Sequence, residues 1–264
     1  MSADLEARLA ALEADLAETK HQLARAQAVT EIQNVMARYM LYHSAGRQKE
    51  CLDLFAMRTK DVGLEIAMWG QYWGPRGIYR NYVEGIARHE GNRIGWFCEH
   101  PVSTPLIEVA GDGKTAKCVW STFGPETAKM RPEDEWTPNW MYGKFACDFI
   151  LENGHWKMWH FQVLPDIMCP TCEPFTKQKP HDDFEPEDMP KADAPTTFCE
   201  EYDVNKSRKF WPQPPEPYET FQDSKKICMV KPQPQDQIVY NKVYNDFTFE
   251  DYMDDLEARE PWKG

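Results

Sequence analysis

Leu5, Leu9, Leu12, Leu16 and Leu23 recur at steps of four and three with one skipped position. That spacing predicts a helix over residues 4–28 carrying a heptad seam, either an oligomerising arm or a helix lying on its own domain. A broader apolar face, Ile32, Val35, Met36, Tyr39 and Tyr42, predicts a second helix from Thr30 to Tyr42. Thr30 is placed to cap its start, and Gly46 to end it in a left-handed turn just after His43. A third helical piece, Gln48 to Ala56, carries Cys51, Leu52, Leu54 and Phe55. The pattern then turns strand-like over Val62 to Trp69 and Gln71 to Trp73, and Gly74-Pro75-Arg76-Gly77 reads as a turn. Ile78 to His89 has helical spacing with Ile78, Tyr82, Val83 and Ile86 inward. Two hairpins follow. One joins Leu106–Val109 to Thr115–Phe123 around Gly111-Asp112-Gly113. After a polar loop through Pro138, the other joins Trp140–Leu151 to Trp156–Leu164 around Asn153-Gly154. Helices followed by a meander of long strands make an α+β fold.

The pattern breaks after Pro165. Most of the twenty prolines lie between Pro165 and Pro234, mixed with acids and with Phe175, Phe184, Trp211, Tyr218 and Phe221. Proline at that density excludes helix and sheet interiors, while the rings argue against a disordered tail. The stretch reads as an extended arm that wraps its own domain or a neighbouring subunit, closing with a docking helix in Phe247–Trp262. Three regions result: a helical arm over 1–27, a folded domain over 28–165 and a proline- and aromatic-rich arm over 166–264.

Composition narrows the classes of partner. A formal charge of −13 argues against a nucleic-acid groove, which needs clustered Lys and Arg. No apolar run is long enough to span a bilayer, and the N-terminus lacks an apolar signal segment, so a soluble cytoplasmic protein is expected. The eight cysteines are then read as thiols. Cys169-Pro170-Thr171-Cys172 has the spacing of redox and zinc sites, but no second pair follows and a proline-rich segment does. It reads as two unlinked cysteines in a loop. An aromatic share of 13% suits a pocket for a flat organic ligand, although most rings build cores.

The order of these features resembles the nuclear transport factor 2-like superfamily, and within it the polyketide-cyclase (SnoaL-like) branch. The matching stretches are the helix ending in Tyr39–His43, Leu52-Asp53-Leu54-Phe55-Ala56, and Gly77-Ile78 opening a helix. The His100-Pro101-Val102-Ser103-Thr104-Pro105-Leu106-Ile107 strand with Gly111-Asp112-Gly113 also matches, as does the closing Gly143-Lys144-Phe145 and Asn153-Gly154-His155-Trp156 pair. The resemblance covers roughly residues 28 to 165. It implies a cone: a bent antiparallel sheet wrapped around helices, with an apolar pocket between. Members acting on aromatic substrates usually work without a cofactor. They use a histidine at the position of His100, and a tyrosine and an Asp at a helix end corresponding to Tyr42–Ser44; here His43 or Ser44 stands at the Asp position. The long form looks most like the sphingomonad diarylpropane lyases, which release formaldehyde from lignin-derived dimers and leave a stilbene.

That resemblance implies acid–base chemistry without a metal, and no His/Asp/Glu ligand spacing argues for one. His100 and His43 have intrinsic pKa values suited to proton transfer near neutrality. Tyr42 and Arg80 complete the expected catalytic set. Tyr39, Trp69, Tyr72, Arg76, Trp120, Tyr142, Lys144 and His160 are the expected substrate-binding residues. Each has an ordinary alternative. A helix-terminal His43 can simply face the helix dipole. The tyrosines and tryptophans can be core, and His160 can be a packed core histidine. Lys144 and Asp148 can be an exposed cross-strand ion pair, and Arg80 can be solvated. His21, His89, His155 and His181 sit in exposed-looking sequence and are set aside. The expected protein is a cofactor-independent lyase on a small aromatic substrate, without nucleic acid or membrane, assembled as a homodimer or homotrimer. A dehydratase or isomerase of another phenolic or polyketide-like compound, and a non-catalytic aromatic-binding module, are the alternatives.

Overall fold

The computed structural model describes residues 3–87, 94–129, 133–178, 189–234, 248–259 and 261. His89, His181, Phe184, Phe247 and Trp262 lie outside the described residues. The two N-terminal helices expected from periodicity are one. Helix α1 runs Ala3–Ser44, because no Gly or Pro interrupts it and a threonine such as Thr30 is tolerated inside a helix held by packing. Gly46, at φ 68°, closes it as expected, with the Arg47 amide donating back to the Tyr42 carbonyl at 2.8 Å. Helix α2 is shorter than its pattern, Gln48–Leu52.

Strands β1 (Gly63–Ile66) and β2 (Gly70–Trp73) lead directly into helix α3, Gly74–Tyr79. The stretch read as a turn is therefore a helix start, with Pro75 in the first turn, where its missing N–H costs nothing. Gly77 has a packing reason: a Cβ there would stand 2.9 Å from the Tyr72 carbonyl carbon. From Arg80 to Ile86 the helix widens to a π-helical segment, the Ala87 amide reaching back five residues to Tyr82. Such widening marks many functional sites.

Strands β3 (Val102–Val109), β4 (Thr115–Ala128), β5 (Thr137–Glu152) and β6 (His155–Pro170) complete a six-stranded sheet of order β2-β1-β6-β5-β4-β3. The all-antiparallel expectation needs one correction: β1 pairs with β6 in parallel. The chain leaves β1 through a hairpin and helices before it returns, so that neighbour can run in the same direction. Strand β6 also passes Pro165, where the folded domain was expected to end. Pro165 faces Gly143 at a register shift, so its absent amide interrupts no regular ladder.

One face of the sheet packs on α1. Ala28, Ile32, Met36 and Tyr39 from the helix meet Phe145, Cys147, Phe149, Met158 and Phe161 in the main core. The opposite face is partly covered, because the chain's own later segments lie on it around Glu65 and Lys117, while Phe123 and Tyr142 at its far end stay exposed. The fully buried Glu65 carboxylate accepts hydrogen bonds from the hydroxyls of Thr196 and Thr197 and from the Gln162 amide. The Met229 amide in turn donates to Gln162 at 2.9 Å. The Gly111 and Asp112 amides donate to the carbonyls of Tyr218 and Glu219. These segments belong to the compact unit formed by Met1–Val204 and Pro212–Lys231. A second unit consists of Asn205–Trp211 and Pro232–Gly264. It contains helix α4, Phe249–Arg259, whose start is closed by a reciprocal Thr248–Asp251 capping pair.

Candidate functional site

Two histidines far apart in sequence meet inside the first unit. His43 sits in the last turn of α1, one turn after Tyr39, so their rings stack with centroids 5.7 Å apart and planes 3° from parallel. Its Nδ1 donates to the Gln48 side-chain oxygen at 3.1 Å, across the Gly46 turn. That bond leaves Nε2 as the lone-pair nitrogen of the neutral ring. Burial, and next the neighbouring His100, push the His43 pKa down to about 4, so the ring is uncharged near neutrality.

His100 approaches from the sheet, its ring centroid 6.4 Å from that of His43. A glycine permits the approach. A Cβ on Gly124 would stand 1.5 Å from the Glu99 carbonyl oxygen, so only glycine lets the 99–100 segment cross β4 there. His100 is 7% exposed. Its Nε2 lies 3.2 Å from a Glu126 carboxylate oxygen, to which it donates. Nδ1 is buried and has no hydrogen-bond partner among the described residues. The ring is thus oriented by a carboxylate while its second nitrogen, an acceptor in that tautomer, is left free.

Behind the histidines, the Tyr39 and Tyr82 hydroxyls hydrogen-bond at 2.7 Å. Burial holds both phenols protonated, well above the usual tyrosine range. One hydroxyl of such a pair donates to the other, leaving one O–H to spare for a ligand. Trp120 is buried on the same sheet face, edge-on to Phe149 at 6.2 Å. Tyr42 and Trp69 pack, half-buried, against this core.

The other expected residues lie elsewhere. Arg80 pairs with Asp193 at 2.7 Å and lies over the Tyr72 ring, and Arg76 pairs with Glu84 at 2.7 Å. Neither guanidinium is a free anion holder beside the histidines. Tyr72 is buried and donates to the Pro190 carbonyl at 2.9 Å. Strand alternation separates the rest: Met141, Phe145, Cys147 and Phe149 of β5 face α1, so Tyr142, Lys144 and Asp148 face the other way. Tyr142 stacks on Phe123 there, and Lys144 pairs with Asp166 at 2.6 Å. His160 donates to Asp148 at 2.9 Å on that same outer face. These three do not join the histidine pair.

Glu126, Gln48, Cys98 and Tyr82 are the residues that sequence reasoning left out of the site. Glu126 was within reach of it: Trp120, Thr122, Gly124 and Glu126 alternate along one face of β4, once that strand is extended beyond Phe123. Gln48 and Cys98 carry no local signal. The Cys98 thiol, a His100 nitrogen and a Glu126 oxygen all lie within 4.8 Å of one another. That donor set could hold a soft divalent ion, and spacing along the chain did not reveal it.

Residues 24–162 match the SnoaL-like domain family. No curated protein is significantly similar to the chain in sequence. Among solved structures, a protein provisionally described as a scytalone dehydratase from Novosphingobium aromaticivorans shares 16% identity at a TM-score of 0.45, over 59% of this chain and 93% of its own. A type 2 hexachlorocyclohexane dehydrochlorinase, LinA, shares 12% at 0.47, over 57% and 93%. A type 3 LinA from Novosphingobium barchaimii shares 11% at 0.46, over 57% and 94%.

Proposed function

Because the chain belongs to the SnoaL-like family and buries a histidine pair beside paired tyrosines, we propose that it is an acid–base lyase for a phenolic substrate. More narrowly, the substrate is a 1,2-diarylpropane-1,3-diol of the lignin-dimer type, converted to a stilbene with release of water and formaldehyde. The observation that carries the reading is the buried Nδ1 of His100, without a partner among the described residues, its ring oriented by Glu126. That is the arrangement of a general base.

The chemistry balances without a redox partner. A proton taken from the phenol ends on the benzylic oxygen, which departs as water and leaves a quinone methide. The hydroxymethyl O–H then loses its proton, its carbon leaves as formaldehyde, and the released electron pair forms the stilbene double bond and restores the phenol. In this reading His100 Nδ1 moves the protons. The spare O–H of the Tyr39–Tyr82 pair steadies the charge on oxygen in a dry site, and the uncharged His43 accepts a hydrogen bond from a substrate hydroxyl through Nε2.

The test is incubation of purified, metal-stripped protein with the erythro diol, following stilbene absorbance and formaldehyde together. Equal yields of the two are expected. Loss of diol with water as the only small product would replace the lyase by a dehydratase at the same site. Activity that returns only when a divalent metal is added back would reassign His100 and Glu126 as ligands alongside Cys98.

A further inference from the structure

Helix α1 has two opposed faces. From His21 onward one face docks on its own sheet: His21 Nε2 donates to the Gly111 carbonyl at 2.7 Å, Arg25 donates to the Val109 carbonyl at 3.0 Å, and Ala28, Ile32 and Met36 are buried. The leucine seam is not on that face. At about 100° per residue, Leu23 lies roughly 200° around the helix from His21. Leu5, Leu9, Leu12, Leu16 and Leu23 are 47 to 65% exposed. Residues 4–20 are exposed on every side. A helical stretch of that length, whose side chains are this exposed, is marginal in water. An aliphatic seam repeating every seven residues is instead what a second helix of the same kind covers.

We propose that the occupant is α1 of a second copy of this chain, in a parallel, in-register, two-stranded coiled coil. The charges flanking the seam identify both partner and direction. With Leu9, Leu16 and Leu23 on one seam row and Leu5, Leu12, Thr19 and Ala26 on the other, the flanking positions are Arg8, Asp15 and Gln22 on one side and Glu6, Glu13, Lys20 and Gln27 on the other. In a parallel pair each residue of the first set faces the residue five places later on the partner. Arg8 then meets Glu13 of the partner subunit, Asp15 meets the partner's Lys20, and Gln22 meets the partner's Gln27. Every charged contact is attractive and occurs twice by symmetry. In the antiparallel arrangement that lays Leu12 against the partner's Leu16, Glu13 and Asp15 each face their own copies, and that repulsion offsets the attraction of Glu6 to the partner's Lys20, whereas the parallel pair has no repulsive contact. Charge therefore selects the parallel pair and tells it from an arbitrary apolar contact.

The experiment is sedimentation of the full chain over a concentration series. Wild-type protein is expected at twice the chain mass. Leu9→Asp with Leu16→Asp should raise the dissociation constant by about a hundredfold or more, two buried leucines being lost from the seam. Both side chains point away from the sheet, so near-ultraviolet circular dichroism should remain that of the folded domain. Glu13→Lys alone should weaken the dimer, and Arg8→Glu added to it should restore wild-type affinity. A wild-type monomer at every concentration, or an assembly that the leucine changes leave intact, would overturn the proposal. So would failure of the charge exchange to restore what the single change lost.

Discussion

The two faces of the sheet each hold a histidine against a carboxylate, and the two pairs have opposite characters. On the α1 face, His100 donates to Glu126 and keeps a buried nitrogen without a partner among the described residues, beside a second histidine. On the outer face, Asp148 is shared between His160 at 2.9 Å and the Lys117 ammonium at 3.3 Å. That second cluster is roofed. Phe221 lies 4.1 Å from the Lys117 ammonium, and Trp159 stacks on His160 at 4.3 Å. A histidine–carboxylate pair is thus not a site by itself. The inner pair has an open valence next to apolar walls, whereas the outer pair has its charges matched and sealed by the chain's own arm.

The sharpest way to break the comparison is to remove each histidine in turn. His100→Ala is expected to lower turnover of the diol by about a thousandfold with the fold retained. His160→Ala should leave turnover within a few-fold of wild type while lowering the unfolding midpoint. Equal losses of activity from both would erase the distinction. Next, Lys117→Met should leave Asp148 without its cation in a sealed layer and cost about 3–5 kcal/mol in chemical denaturation, with turnover per folded molecule unchanged. A cost near zero would mean that the outer cluster is only filler.

The smallest effect is on pH dependence, through His43. Its pKa is lowered from 6.5 to about 4 by burial, so between those values the unfolded chain binds a proton that the folded chain does not. Stability from this group is complete above about pH 6.5 and falls as pH drops toward 4, by about 3 kcal/mol in total. Urea titrations at pH 7 and pH 4.5 should show this loss, and His43→Phe should flatten that part of the profile. An unchanged slope in the variant would show that His43 is not the group responsible.

Much of the fold was legible because its signals are local. Gly46 ends α1, and Asn153 and Gly154, at φ 51° and 76°, form the turn that joins β5 to β6. The 3.6-residue spacing of Ile32, Met36 and Tyr39 marked the buried stripe of α1. The merging of two expected helices into one was not legible, since a change in which face is apolar looks like a break when read along the chain. In α1 it records a change of neighbour: the seam faces away from the sheet, and the later stripe faces the core.

The candidate site divides in the same way. His43, His100 and Tyr39 carried readable signals, a helix end and a matching strand position, and the fold brings them together. Tyr142, Lys144 and His160 were expected beside them as substrate-binding residues on strands whose inward row was not assigned. The outer row mixes rings with buried ion pairs because the arm covers part of that face, so alternation alone did not tell which row points toward α1.

By itself, then, the sequence determined the buried stripe and the end of α1, the two hairpins, the leucine seam and the chemical types available for proton transfer. These depend on residues a few places apart. Tertiary structure alone decided that His100 keeps a buried nitrogen with no partner among the described residues. Glu126 is 26 residues from His100, and the Gly124 crossing that brings them into contact belongs to two different segments. Long-range contact sets burial, and burial sets whether a nitrogen is paired, charged or open.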